Sequence, residues 1–282
     1  MGMTSGEYPN PADMDRFLAE DVGSGDLTAD SLPQDLTASA TVITREPMLL
    51  CGSAWFEAVF SRLGSGVVIE WQQREGDWVQ AGDILCRLKG PARILMTGER
   101  TALNLLQTLS GTATLSKRYA DAVQGTSLKI LDTRKTLPGL RNAQKYAVKL
   151  GGCHNHRMGL YDGILIKENH IRAMGSITSA VEAARKLGQD VMIEVEVESL
   201  EELDEALSVG VQRILVDEFT PAMRDEAVRR SRGRAEIEVS GNVQMEDLPE
   251  IAKSGVDYVS IGSLTKHLRA VDLSMQVIIG AG

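Results

Sequence analysis

The sequence predicts an α/β protein: a β-rich N-terminal lobe, then a parallel barrel related to the (β/α)₈ fold. Three observations predict it. From residue 126 onward, six short apolar strands (Leu128–Leu131, Gly163–Ile166, Val191–Val195, Arg213–Val216, Ala235–Val239 and Tyr258–Ile261) alternate with helical patterns at 138–150, 177–187, 199–208, 221–231 and 246–254. Serial βα units imply a parallel sheet with right-handed crossovers. No Gly-rich dinucleotide turn follows the first of these strands, which favours a barrel over an open nucleotide-binding sheet. Ahead of them, residues 36–50 are β-branched and alternating, and two further strands, Val67–Gln72 and Ile84–Leu88, flank a turn-rich joint.

Taken in order, Asn10-Pro11 opens a helix over about 11–20, a capping residue followed by proline in the first turn. Glu20–Thr28 holds two glycines and carboxylates, and lacks the spacing and closing glutamate of a calcium loop, so it reads as a capped turn. Residues 36–50 read as strand. Trp55, Phe56, Val59, Phe60 and Leu63 share one face of a helix over 54–63. Val67–Gln72 and Ile84–Leu88 read as strands. Their joint, Glu75–Asp83, looks like the edge of a biotinyl or lipoyl carrier but lacks the modifiable lysine, so it reads as structural. Pro91 opens a long helical region with Gly111 as a break. Val271–Ile279 reads as a strand returning to the first lobe. The domains expected are 1–110 and 111–267, with 268–282 packing back on the first.

Composition narrows the function. The 282 residues carry 43% hydrophobic and 24% charged side chains, ordinary for a soluble protein. Net charge is −9 and aromatics are 4%, which argues against nucleic-acid binding. No apolar run approaches the ~18 residues of a membrane span. Met1–Gly6 lacks the basic and apolar regions of a signal peptide. Three widely spaced cysteines, Cys51, Cys86 and Cys153, suit reduced thiols in the cytoplasm. Against this acidic background, residues 132–170 gather Arg134, Lys135, Arg141, Lys145, Lys149, Arg157 and Lys167, with three of the four histidines. A local cationic cluster on an acidic chain suits a small, multiply charged anion.

The strand ends sharpen this, because a barrel's active site lies at the C-terminal ends of its strands. They read Asp132-Thr133-Arg134-Lys135; Lys167–His170; Glu194 and Glu196 on one face; Asp217-Glu218; Ser240-Gly241-Asn242; and Gly262-Ser263. Cations suit carboxylates, facing acids suit Mg²⁺ or sugar hydroxyls, and Gly/Ser turns before helices suit phosphate. The implied ligands are a small carboxylated molecule and a phosphorylated sugar with Mg²⁺. Cys153, His154, His156 and His170 form a zinc-like set, but Arg157 and Lys167 beside them would repel a cation.

Several stretches carry a resemblance: Glu20-Asp21 with Gly25–Thr28, Glu99–Asn104, Asp132–Arg141, Asn155–Leu160, Leu165–Ile171, Glu194–Val197, Leu215–Asp217 and Ser240-Gly241. In family order over nearly the whole chain, they resemble the quinolinate phosphoribosyltransferases. The resemblance implies an α/β-sandwich N-terminal lobe and an incomplete, six-stranded α/β barrel. It implies transfer of phosphoribosyl from phosphoribosyl pyrophosphate to quinolinate with decarboxylation, giving nicotinate mononucleotide, CO₂ and pyrophosphate, with Mg²⁺ as cofactor. It implies a homodimer or an assembly of dimers. By motif position, Thr133, Arg134, His156, Arg157 and Lys167 line the quinolinate pocket, His156 donating to the anion, and Arg100 reaches it from the partner subunit. Lys135, Glu196, Asp217, Ser240, Gly241, Asn242, Gly262 and Ser263 hold the sugar donor, and Glu196 and Asp217 the Mg²⁺. Lys135, Lys167, Glu196 and Asp217 carry the catalysis.

Two other readings use the same residues. Lys167 at a barrel strand end is where a Schiff-base aldolase keeps its lysine, although Glu168 follows it. A molybdenum-utilisation-type paralogue would share the fold and bind without turnover.

Overall fold

Residues 9–280 are described by the computed structural model, in which contacts group the chain into two units. The first comprises the chain up to Lys117, Leu137–Gly152 and the segment from Leu264. The second comprises Arg118–Thr136 and Cys153–Ser263. Among the described residues, no helix is long and apolar enough to cross a membrane.

In the first unit, α1 (Pro11–Val22) starts at Asn10, whose side chain accepts the N–H of Ala12. In the turn after it, the Asp26 carboxylate accepts the N–H groups of Thr28 and Ala29. Strand β1 (Thr37–Thr44) alternates as predicted, burying Ala38, Ala40, Val42 and Thr44. It is followed by β2 (Met48–Leu49) and α2 (Ser53–Leu63), which buries Trp55, Phe56, Val59 and Phe60. Strands β3 (Val68–Trp71), β4 (Trp78–Val79) and β5 (Ile84–Pro91) come next. Strands β3 and β5 pair antiparallel, but the joint is more than a hairpin, because β4 leaves to pair with β2.

Helix α3 (Ala92–Ala122) runs 31 residues without interruption. The break expected at Gly111 is absent. A Cβ there would stand 2.3 Å from the carbonyl oxygen of Arg269, so the glycine admits a close backbone rather than ending a helix.

In the second unit, β6 (Lys129–Leu131) opens the parallel set. Helix α4 (Arg141–Leu150), next in the chain, belongs instead to the first unit, where Ala143 and Ala147 join the core. The set continues with β7 (Ile164–Ile166), α5 (Glu168–Met174), α6 (Ile177–Lys186), β8 (Ile193–Val197), α7 (Leu200–Ser208), β9 (Arg213–Asp217), α8 (Pro221–Ser231), β10 (Glu236–Ser240), α9 (Leu248–Ser254) and β11 (Tyr258–Ser260). The strand order is β7-β8-β9-β10-β11-β6, so consecutive strands are neighbours and the last pairs with the first. That wrap makes an incomplete six-stranded barrel with its seam between β6 and β7. There, Leu131 and His154 form an isolated parallel bridge.

Strand β12 (Leu273–Ile279) pairs antiparallel with β1, giving the first unit a sheet of order β12-β1-β5-β3. Its core joins sheet residues such as Val42 and Leu88 to Phe56, Leu103, Leu106 and Leu109 of the helices.

Candidate active site

The part of the cationic segment that follows Gly152 is built at the seam. The bridge that places it runs from the N–H of His154 to Ile130 O and from the N–H of Asp132 to His154 O, at 2.8 and 3.0 Å. Asp132 is fully buried. Its carboxylate accepts the N–H of His156 at 2.9 Å and the Asn155 amide at 2.6 Å. These bonds lay residues 153–157 along β6, where a closed barrel would hold another strand. Beyond them, the Asp162 carboxylate accepts the N–H groups of Met158 and Gly159 and folds the loop back. Arg157 Nη1 donates to Gly163 O at 3.0 Å. Burial first, and then the neighbouring Arg134 guanidinium, hold the Arg157 pKa below its ordinary value. Two like charges so placed favour an anion between them.

After β6, Thr133 Oγ1 accepts the N–H of Lys135, and the chain passes close to Gly262, where a Cβ would meet Lys135 Cδ at 3.1 Å. At the end of β7, Lys167 Nζ forms an ion pair with Glu196 of β8. Asp217 and Ser240 are register partners at the ends of β9 and β10. Gly241 follows with φ +98° and packs against Asp217 and Glu218, while Glu218 and Asn242 themselves adopt positive φ. Such backbone in two adjoining turns is a local cost that sites shaped for a ligand tolerate.

Beneath these ends lies a polar layer. His156 Nδ1 accepts the N–H of Arg157 at 2.7 Å, so its Nε2 carries the proton and donates to Glu194 Oε2 at 2.9 Å. Glu238 of β10 lies 3.6 Å from the same Nε2 and 3.8 Å from Arg213 Nη1. Arg213 stacks over Tyr258 at 3.9 Å and pairs with Glu236 at 2.9 Å. Both Glu194 and Glu238 are fully buried. Burial is the main cause that raises the Glu194 pKa and that pushes Glu238 up to about 8, the latter helped by the Glu194 charge. The His156, Glu194 and Glu238 donors lie close enough together to hold a cation, but Arg213 already faces them with positive charge.

Comparison with known proteins fits this geometry. Residues 26–110 match the quinolinate phosphoribosyl transferase N-terminal domain, and residues 112–276 match its C-terminal domain. The chain belongs to the quinolinate phosphoribosyl transferase family. It is 39% identical, over 269 residues, to the carboxylating nicotinate-nucleotide pyrophosphorylase of Mycobacterium leprae, covering 93% of this chain and 95% of that one. The solved nicotinate-nucleotide pyrophosphorylase of Francisella tularensis is 42% identical with a TM-score of 0.92, covering 98% of this chain and all of that one. That of Ehrlichia chaffeensis is 35% identical with a TM-score of 0.90, covering 99% and 100%.

In this member of the quinolinate phosphoribosyl transferase family, one cavity is lined by eight of the residues singled out in the sequence. They are Thr133, Arg134, Lys135, His156, Arg157, Lys167, Glu196 and Ser240. Asp217, Gly241, Asn242, Gly262 and Ser263 are not among its lining residues; Gly241 adjoins Asp217, and Gly262 adjoins Thr133 and Lys135. Arg100 lies on α3 in the first unit, its side chain 60% exposed and 3.8 Å from Glu99. His156 lines the cavity, and its ring Nε2 lies 2.9 Å from Glu194 Oε2. The zinc-like residues do not act together. Cys153 is buried with its thiol pushed up to about 12, chiefly by burial, and His170 Nδ1 accepts the N–H of Lys167 at the start of α5.

Sequence reasoning missed Leu165, Leu215, Glu238 and Ser260, which also line the cavity. The period of two along a strand would have found Glu238, two residues before Ser240 on the same face.

Proposed function

We propose that this chain transfers phosphoribosyl from phosphoribosyl pyrophosphate to quinolinate and decarboxylates the product to nicotinate mononucleotide, in the cytoplasm. The observation that carries this reading is the pair of guanidiniums, Arg134 and Arg157, at one cavity that also holds Lys135 and Lys167. A small dianion relieves their mutual repulsion, and planar forks match its two carboxylates.

With quinolinate held there, the ring nitrogen attacks the anomeric carbon while the bond to pyrophosphate breaks. The sugar passes through an oxocarbenium-like state, which carboxylates at Glu196 and Asp217 stabilise. Lys135 faces the departing phosphates. Ser240, Gly241, Asn242, Gly262 and Ser263 cradle the 5′-phosphate, the strained Gly241–Asn242 backbone supporting that assignment. The ring nitrogen is then cationic. Its positive charge stabilises the electron pair left on C2 as the C2–carboxylate bond breaks and CO₂ departs, and a proton from water then completes C2, so no protein nucleophile is needed. Glu196 and Asp217 are oxygen-only donors on neighbouring strands, a set that fits Mg²⁺. When bound, that ion neutralises pyrophosphate charge.

The exposed guanidinium of Arg100 supports a homodimer in which it completes the partner's pocket. A Schiff-base role for Lys167 is disfavoured, since its amine is ion-paired with Glu196 rather than isolated.

The test is one assay. Purified protein is mixed with phosphoribosyl pyrophosphate, Mg²⁺ and either quinolinate or nicotinate, and nicotinate mononucleotide is followed. Product from quinolinate alone is expected. Binding of quinolinate without turnover would replace this reading with that of a non-catalytic paralogue.

A further inference from the structure

The cavity wall contains a side chain whose ring bonds are made within the protein. Both ring nitrogens of His156 are committed: Nε2 to Glu194 at 2.9 Å, and Nδ1 to the N–H of Arg157 at 2.7 Å. What the ring holds is the backbone of the next residue, and that residue carries a guanidinium of the anion pocket. Glu194 is in turn held on β8, a central strand paired on both sides. Its side chain is 1% exposed, so it reaches His156 without reaching the cavity.

We propose that Glu194 is a positioning residue for quinolinate binding: it fixes the tautomer and angle of the His156 ring, which sets Arg157. The inference rests on the reaction proposed above. A rigid β-strand thereby controls a segment that lies at the seam of the barrel. On the β6 side, the buried Asp132 already holds the backbone of the same segment. What Asp132 leaves open is rotation of the imidazole about its own bonds, and the Nε2–H bond to Glu194 holds the ring with Nδ1 turned to the Arg157 amide. A ring turned by half a rotation would present a C–H to the Arg157 amide and release it.

The role separates from simple structural support because it acts on one substrate. Arg157 belongs to the carboxylate side of the cavity, whereas the sugar-phosphate side is built from β9, β10 and the turn after β11. Loosening Arg157 therefore raises the quinolinate KM and leaves that of phosphoribosyl pyrophosphate in place. Misplacing an anchoring group by a fraction of an ångström is enough for about a tenfold effect.

The experiment compares wild type with Glu194→Ala and Glu194→Gln. Glutamine keeps an acceptor oxygen for Nε2–H, and alanine does not. The expected result for Glu194→Ala is a quinolinate KM raised about tenfold or more, with the phosphoribosyl pyrophosphate KM within about twofold of wild type. Glu194→Gln should return most of the loss. Nitrogen-15 NMR of labelled histidine should show His156 as the Nε2–H tautomer in wild type and Glu194→Gln, and a mixture of tautomers in Glu194→Ala. An unchanged quinolinate KM in Glu194→Ala overturns the proposal. So does an equal rise of both KM values, or a wild-type His156 that is Nδ1–H. Should Glu194→Ala fail to fold, the glutamine variant and the wild-type tautomer still decide it. If wild type turns over phosphoribosyl pyrophosphate only with a different acceptor, the reaction reading fails and this role falls with it. Failure of the variants in an enzyme active on quinolinate overturns this role alone.

Discussion

Glu238 should make the protein less stable as the solution becomes alkaline, and replacing it with glutamine should abolish that contribution. In an unfolded chain the carboxyl ionises near its ordinary 4.5, whereas burial, with the Glu194 charge beside it, keeps it protonated to about 8 in the fold. Between those values the folded state holds the extra proton. The stabilisation is therefore complete below about 4.5, diminishes as pH rises, and is gone above about 8. At ~1.4 kcal/mol per pH unit, the interval amounts to an upper figure of roughly 5 kcal/mol. Glutamine carries no charge at any pH and can donate its amide N–H to Glu194. Urea unfolding of wild type and Glu238→Gln at pH 5, 7 and 9 measures the effect. The two should be similar at pH 5, with the variant gaining at pH 7 and gaining most at pH 9. Glu194 keeps a slope of its own, because burial raises it too. Curves that run parallel from pH 5 to 9 would refute the reasoning, since a carboxyl that ionises normally in the fold gives no such divergence.

Three further outcomes are expected. Gly111→Ala drives a methyl into the Arg269 carbonyl, 2.3 Å away, and should cost about 1–3 kcal/mol or more, read as a lower melting temperature. Gly241→Ala must adopt φ near +98° with its Cβ 3.2 Å from the Glu218 backbone nitrogen; a cost of about 1–3 kcal/mol at the turn proposed to hold the 5′-phosphate should appear as a raised phosphoribosyl pyrophosphate KM in steady-state assays. Mixing Arg100→Ala with Lys167→Ala subunits should restore part of the activity that each lacks, because in the proposed homodimer one site of each mixed pair then holds both groups; no recovery after verified subunit exchange would place Arg100 outside its partner's pocket.

All six barrel strands were legible, because each is a short apolar run bounded by turn residues. The helices between them were legible where they bury a periodic face, as α6 does with Ile177, Ala180 and Val181. Helix α5 was not, since its seven residues bury none and so carry no apolar period. Gly111 misled for a related reason: a glycine inside a helix reads as weakness, and the backbone that requires it lies more than 150 residues further along the chain. At the site, residue types at strand ends brought out the cations and acids around the cavity. The direction of the His156 ring was not readable, because it depends on Glu194 across the barrel and on the amide of its own neighbour. Glu238 lies one layer below the strand ends, two residues before Ser240, and a strand's final residues do not reveal that layer.

The pairing of β1 with β12 has a consequence for synthesis. A ribosome delivers β1, β5 and β3 first, and the strand that covers the other edge of β1 emerges some 230 residues later. Throughout that interval β1 offers an open hydrogen-bonding edge, and the groove beside Gly111 lacks the backbone at Arg269. Nascent chains halted before residue 273 should therefore depend on chaperones, or associate through that edge, more than chains released complete. The N-terminal unit is the first to be made and the last to be finished.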